Sequence, residues 1–286
     1  MTGFILVQYY QQMQRLAPSF FIIGERKCAT SALYRYLLDH PAVLPCAVKE
    51  PQYFSKSWWY RFTHSGQYRR LYPARDALQA DIEWFELTKQ GRAYSTTLTI
   101  HRDPDTVPIT GEASANTFAQ VPPERLKKEY PQAKLILSLR HPVDRAFAHY
   151  KMLLRFAMEG RRLPIVLHDF KSDFVRDFRA GANGIFAPVS LYTERLKAWT
   201  AVFGEEAICI VRSEDLRDKT TAQNVMNTCG KFLGLGKHDY ADVLNIPVNI
   251  SGSEHLDADL RSELFEYYQR DISHLEAFTG RKFHWE

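Results

Sequence analysis

An unbroken apolar run that ends in glycine and leads straight into a basic turn and a helical pattern limits the folds open to this chain more than any other feature. Phe20 to Gly24 is apolar throughout, and Thr30 to Asp39 sets Ala32, Leu33, Tyr36 and Leu37 at helical spacing. The pattern predicts strand, loop, helix. In the segment FFIIGERKCATSALYRYLLDHP, Gly24, Lys27, Thr30 and Ser31 fall in or beside the connecting turn. There, free backbone amides and the positive end of a helix dipole face any incoming anion. The turn therefore suits phosphate. A Walker A loop needs GxxxxGK followed by Ser or Thr, and no Gly-Lys pair exists here, so a nucleotide triphosphatase is disfavoured.

A second unit of the same kind starts at Ala133, where AKLILSL ends at Arg140 and HPVDRAFAHYKMLLRF continues with the period of an amphipathic helix entered at Pro142. A third strand is expected at Ala207 to Val211. Helices are expected at Pro123 to Glu129, Ile165 to Arg179, Ser190 to Phe203, Ala222 to Leu233 and Ala258 to Ala277. Strands alternating with helices imply an α/β fold, a central parallel sheet flanked by helices on both faces. No internal repeat interrupts the pattern, and Asp76 to Pro108, with few periodic signals, reads as an insertion near a binding face. One domain over residues 1–286 is the simplest organisation.

With 45% hydrophobic and 24% charged residues the chain has the means to bury a large core. A net charge of +4 fits an anionic ligand but is no nucleic-acid signature. Cys28, Cys46, Cys209 and Cys229 are scattered without CxxC or zinc spacing, which points to reduced thiols and a reducing compartment. Gln11, Gln12, Gln14 and Arg15 break the N-terminal apolar patches before they reach spanning length. A soluble, cytoplasmic protein with no membrane span is the expectation.

Several stretches, in order, carry a resemblance to a known family. The strand followed by GxxKxxTS and a helix, then HPAV and KEPQYF, resembles the sulfotransferases that use 3'-phosphoadenosine 5'-phosphosulfate (PAPS), nearest the heparan sulfate N- and 3-O-sulfotransferase branch and related bacterial enzymes. LILSLRHPVDRAFAHY resembles that family's second cofactor motif, GEASANTF its central acidic segment, and TGRKFHWE the branch's GRxFxW ending. The resemblance implies a P-loop-like sulfotransferase fold, PAPS as donor, 3'-phosphoadenosine 5'-phosphate (PAP) as product, and no metal. It implies that Arg26, Lys27, Ala29, Thr30 and Ser31 hold the 5'-phosphosulfate, with Lys27 following charge onto the bridging oxygen, and that Arg140 grips the 3'-phosphate. Tyr192 in SLYTERL matches a position near the cofactor. The family's Asp after the Arg is His141 here and its later Ser is Ala148, so His141 or His149 is expected to replace part of the site. Where the branch has a Lys-Gly-Arg loop this chain reads ISGSEHL, leaving Ser251, Gly252 and Ser253 to offer amides and hydroxyls without charge.

Transfer to a hydroxyl or amine needs a proton acceptor. Glu50 in KEPQYF is the first candidate, with Lys49 beside it to keep the carboxylate ionised. Glu112 is the second, expected just after a strand at the carboxyl edge of the sheet. His149 is the third, because its helix starts beside Arg140, with an ordinary helix-surface histidine as the competing reading. Trp58, Trp59, Tyr60, Phe62, Tyr68 and Tyr72, interleaved with Arg61, Arg69 and Arg70, suit either a ring-bearing acceptor or a packed subdomain with a basic rim. The expected acceptor is a small molecule such as a natural product, with a glycan as the alternative. A small-substrate P-loop kinase using ATP and magnesium and a non-catalytic nucleotide-binding module are the competing readings. Sequence is silent on O- against N-sulfation and on oligomeric state.

Overall fold

Phe20 to Gly24 forms the middle strand of a five-stranded sheet in the computed structural model, which describes residues 15–87, 93–163, 165–246, 248 and 256–285. The strands are β1 (Phe20–Gly24), β2 (Val43–Pro45), β5 (Ile109–Ala113), β6 (Lys134–Leu139) and β7 (Ile208–Arg212), all parallel, in the order β2-β5-β1-β6-β7. Both faces are covered. Phe21, Ile23, Leu135 and Leu137 pack into one apolar layer, while Phe20, Ile22 and Ile136 pack into the other. A strand buried on both faces reads as an unbroken apolar run, which is why β1 and β6 stand out in the sequence.

The described helices are α1 (Thr30–Leu37), α2 (Trp58–Arg70), α3 (Thr117–Gln120), α4 (Pro123–Glu129), α5 (Pro142–Met158), α6 (Phe170–Arg179), α7 (Thr193–Phe203), α8 (Lys219–Leu233), α9 (Ala241–Leu244) and α10 (Ala258–Thr279). Helix α6 starts five residues later than expected because the Asp169 side chain accepts from Ser172 N at 3.0 Å and caps it there. None of the described helices is long and apolar enough to cross a membrane.

The insertion at Asp76 to Pro108 contains a hairpin of β3 (Gln79–Leu87) and β4 (Ala93–His101), nine residues paired on each side. Ile82 and Trp84 point inward and Asp81 and Glu83 outward, the alternation of a half-buried strand. Val48 bridges Glu83 in parallel, Lys49 N donates to Glu83 O at 3.2 Å, and Glu83 N donates to Ala47 O at 2.8 Å. The hairpin thus grips the segment that follows β2.

At the opposite edge of the sheet the C-terminal segment lies against β7. Arg281 Nη1 donates to Ile210 O at 2.7 Å, Arg212 Nη1 donates to Phe283 O, and Phe283 and Trp285 are buried. From β1 the chain turns through α1 to β2 on one side and later crosses to β6 on the other. The carboxyl end of β1 is therefore a topological switch point, where open α/β sheets form a crevice.

Candidate active site

The loop after β1 is built from backbone that L-residues seldom adopt. Lys27 has φ 75° and Ala29 φ 59°, and Ala29 caps α1 with no side-chain bond to its first turn. Left-handed residues alternating with Cys28 turn successive amides toward one concavity, a geometry that receives anions. Glu50 (φ 60°), Gln52 (φ 54°) and Asn116 (φ 74°) are also left-handed. These five residues occupy the loops that leave β1, β2 and β5, three neighbouring strands, at the same edge. Such conformations cost about 1–3 kcal/mol each and persist only where surrounding structure enforces them, typically at sites of function.

The loop is pinned to the end of β6. Ser138 Oγ donates to Cys28 O, and Arg140 Nη1 donates to Lys27 O at 3.0 Å. Arg140 is itself braced: Tyr192 OH donates to Arg140 O at 2.8 Å, and the Tyr192 ring lies 6.0 Å from Trp285. Tyr192 therefore acts on this site through Arg140, its hydroxyl being committed to a backbone oxygen. His141 is turned away: its ring stacks on Phe265 at 5.2 Å and caps α5 by accepting from Asp144 N at 3.4 Å.

The loop's electrostatics favour an anion. Burial first, then the charges of Arg140, Arg155 and Lys151, push the Lys27 amine down from its usual 10.5 to about 8. Arg140 Nε and Arg155 Nη2 are buried with no hydrogen-bond partner among the described residues. Unsatisfied guanidinium nitrogens beside a left-handed loop and a helix N-terminus fit a ligand with several anionic oxygens, as the 5'- and 3'-phosphates of PAPS require. Arg26 extends the same surface, with the Asn116 side-chain oxygen accepting from its Nε and Nη2 at 3.1 Å each. Thr30 is buried at the first turn of α1 and Ser31 is half-buried beside it. Ser251, Gly252 and Ser253 lie outside the described residues. Among the described residues no cluster of three His, Cys, Asp or Glu side chains could hold a metal ion.

Glu50 stands in the next loop with its carboxylate partly open to solvent. Lys49 Nζ donates to Oε1 at 2.7 Å and Gln52 Nε2 approaches Oε2 at 3.4 Å. Glu112 differs from its expected position. It lies within β5, not after it, and is only 2% exposed. Its Oε2 accepts from Tyr68 OH at 2.8 Å and Tyr72 OH at 2.7 Å, and its Oε1 from Ser114 Oγ at 3.0 Å. Burial pushes the carboxyl up, while the three hydroxyls pull it back. Three of its roughly four lone-pair positions are thus occupied, and the side chain is closed to solvent.

His149 is likewise not on the surface. It is 4% exposed, edge-on to Phe186 at 5.4 Å, and burial with the charges of Arg145, Arg26 and Lys27 holds it well below the usual imidazole range. It is neutral at pH 7 and closed to an acceptor. The aromatic cluster after Glu50 divides in two. Tyr68 and Tyr72 are core residues around Glu112, whereas Trp59 and Phe62 are 61% and 72% exposed. A cavity of about 650 Å³ opens between residues that precede β1 and β6, at the other end of the strands; Arg69 and Tyr72 of the aromatic and basic stretch line it, but none of the candidate cofactor or proton-accepting residues does.

Sequence reasoning missed a buried charge group beneath the loop. Arg145, fully buried, donates to Ser190 Oγ and Phe186 O. Glu25 lies close enough to feel Arg145 and Arg195, yet burial outweighs them and pushes its carboxyl up to about 7. An Arg five residues beyond Arg140 and a Glu just after Gly24 were visible as residues, but not as interior ones.

A parallel sheet with its phosphate-type loop, second-strand arginine and neighbouring carboxylate at one switch point defines a class of nucleotide-dependent group-transfer folds. Within that class the chain belongs to the sulfotransferase family, whose model matches residues 18–236. It is 28% identical to rat carbohydrate sulfotransferase 15 over 257 residues, 78% of this chain and 44% of that protein. It is 26% identical to the mouse bifunctional heparan sulfate N-deacetylase/N-sulfotransferase 3 over 243 residues, 79% of this chain and 23% of that protein. The chain thus spans less than half the length of these relatives. A sulfotransferase from Alicyclobacillus acidocaldarius shares the fold, with a TM-score of 0.63 and 24% identity over 93% of this chain and 97% of that one. Mouse SULT7A1, solved in complex with PAP, matches at a TM-score of 0.51 and 10% identity over 96% of this chain and 93% of that one.

Proposed function

We propose that this protein transfers a sulfuryl group from PAPS to a hydroxyl or amine of a saccharide. The observation that carries the reading is the convergence of Lys27, Arg140, whose buried Nε has no partner among the described residues, and Glu50 on loops at one edge of the sheet. Bound PAPS supplies a sulfuryl group on a phosphate leaving group, a reaction that passes through a loose in-line transition state by analogy with phosphoryl transfer. Lys27 and the first-turn amides of α1 hold positive charge where the leaving phosphate gathers negative charge. Arg140 grips the 3'-phosphate, and Arg155 adds charge near Lys27. Glu50 removes the acceptor's proton, the part Glu112 and His149 are too enclosed to play. The names of the relatives favour a saccharide over the small-molecule acceptor expected from sequence.

Calorimetry with PAP, against ATP plus magnesium, followed by sulfate transfer from labelled PAPS to chondroitin and N-unsubstituted heparan-backbone oligosaccharides, tests this. Metal-independent PAP binding with transfer to either glycan is expected. Preference for ATP overturns the donor, and transfer to phenolic small molecules alone overturns the acceptor. Glu50→Gln is expected to lower kcat by about a hundredfold while sparing PAP affinity, and unchanged turnover removes Glu50 from the reaction.

A further inference from the structure

A chain of hydrogen bonds joins buried Glu112 to half-buried Glu50. Glu112 accepts the Ser114 hydroxyl proton at 3.0 Å, which leaves the Ser114 lone pairs to accept from Gln52 N at 3.2 Å. Gln52 is held left-handed, and its side-chain amide donates to Ala115 O at 3.1 Å and reaches Glu50 Oε2 at 3.4 Å. On the other side Lys49 Nζ holds Oε1 at 2.7 Å and lies 5.6 Å over the Trp84 ring of the β3–β4 hairpin. Each oxygen of Glu50 thus has a donor fixed to a different part of the scaffold. Lys49 ties Oε1 to the hairpin, and Gln52 ties Oε2 to the loop after β5.

We propose that Gln52 is a positioning residue for the transfer reaction, its amide clamping the Glu50 carboxylate to the β5 loop at Ala115, with Ser114 and Glu112 as the buried anchor of that clamp. The proposal rests on the sulfotransferase reading for its catalytic consequence, while the clamp itself does not depend on it. A carboxylate with two free torsions beyond Cβ samples many orientations. Two fixed donors restrict it to those that face the crevice, and misplacement by about 1 Å can cost a hundredfold in rate. The anchor also accounts for a carboxylate buried in β5: three hydroxyl donors satisfy it, and one of them carries its orientation forward to Gln52.

The test compares wild type with Gln52→Leu, which keeps bulk but loses the N–H donor, and Gln52→His, whose ring N–H retains one. Gln52→Met serves as the donorless variant if Gln52→Leu does not fold. Three quantities are measured: kcat and KM for PAPS with a chondroitin or heparan-backbone oligosaccharide, calorimetric affinity for PAP, and the rate at which a water-soluble carbodiimide with glycine ethyl ester labels Glu50, read by peptide mass spectrometry. The donorless variant is expected to lose about tenfold in kcat with PAP affinity and KM for PAPS within about twofold, to label at Glu50 several-fold faster, and to be largely rescued by histidine. Ser114→Ala is expected to reproduce part of the labelling change. Unchanged kcat and labelling in the donorless variant overturn the proposal, as does a loss of PAP affinity in step with kcat, which would mark general loosening. Absence of PAP binding by wild type overturns the sulfotransferase reading instead, and the labelling comparison still decides the clamp.

Discussion

Lys27 is held in a place that makes its own charge expensive. Its amine is pushed down to about 8 because the loop buries it beside Arg140, Arg155 and Lys151. A bound phosphate reverses that balance and favours the protonated amine. As pH rises through about 8 the free protein gives up the Lys27 proton, so PAP affinity is expected to fall by up to about tenfold per pH unit, with proton uptake on binding near pH 8.5. Calorimetry in buffers of different ionisation enthalpy reads both effects. Lys27→Arg, charged throughout, should flatten the dependence, and an equally steep loss in that variant assigns it elsewhere. The positions of Lys27 and Arg140 were legible in the sequence because each follows an apolar strand pattern, and strand ends in such a sheet face the crevice; Glu50 was marked only by the KEPQYF resemblance. Glu112 and His149 were misjudged for one shared reason: their burial comes from Tyr68, Tyr72 and Phe186, residues distant in sequence that no local pattern brings near. Gln52 left no signal, since an amide's value here lies in the left-handed backbone that aims it.

Among the elements, β5 shows how closely the sheet is assembled under the site. A Cβ on Gly111 would meet Phe20 O at 2.4 Å and the Phe20 ring at 2.7 Å, both on the neighbouring strand β1. Gly111→Ala is therefore expected to lower unfolding free energy by about 3 kcal/mol, the upper range for overpacking. Urea denaturation checks this, and a loss below about 1 kcal/mol would mean that β1 and β5 can separate without penalty. The parallel core, with β1, β6, β7 and most helices, could be read from apolar runs and 3.6-residue periodicity. The three-residue β2 is too short for any period to register, and β3 was passed over although Ile82 and Trp84 alternate with Asp81 and Glu83. Its signal was diluted by polar residues on the outward face of a hairpin that packs by only one side.

Across the whole molecule, the segment 281–285 buttresses a site whose loop residues Lys27, Glu50 and Arg140 lie in the first half of the chain. Trp285 lies 6.0 Å from the Tyr192 ring and 6.4 Å from His141, the two residues that brace and follow Arg140. Trp285→Ala is expected to cost about 3 kcal/mol of stability and, in protein still folded, to weaken PAP binding several-fold. Thermal unfolding and calorimetry measure the two effects. Lost stability with unchanged affinity would show that Arg140 keeps its position without this support. The GRxFxW resemblance marked these residues in the sequence, but their role depends on an edge strand seventy residues earlier that only the fold reveals. The hairpin that grips Ala47 and Lys49 is also tied to the elements around the loop after β1: Ile82 and Trp84 share an apolar layer with Phe20 and Ile22, and Trp84 stacks on Tyr34 of α1 at 6.2 Å. Under the proposed function, variation on the hairpin's outward face, at Asp81 and Glu83, can therefore alter the surroundings of Glu50, whereas Ile82 and Trp84 are held by the same core as the loop after β1 and drift there would be felt on both sides of the site at once.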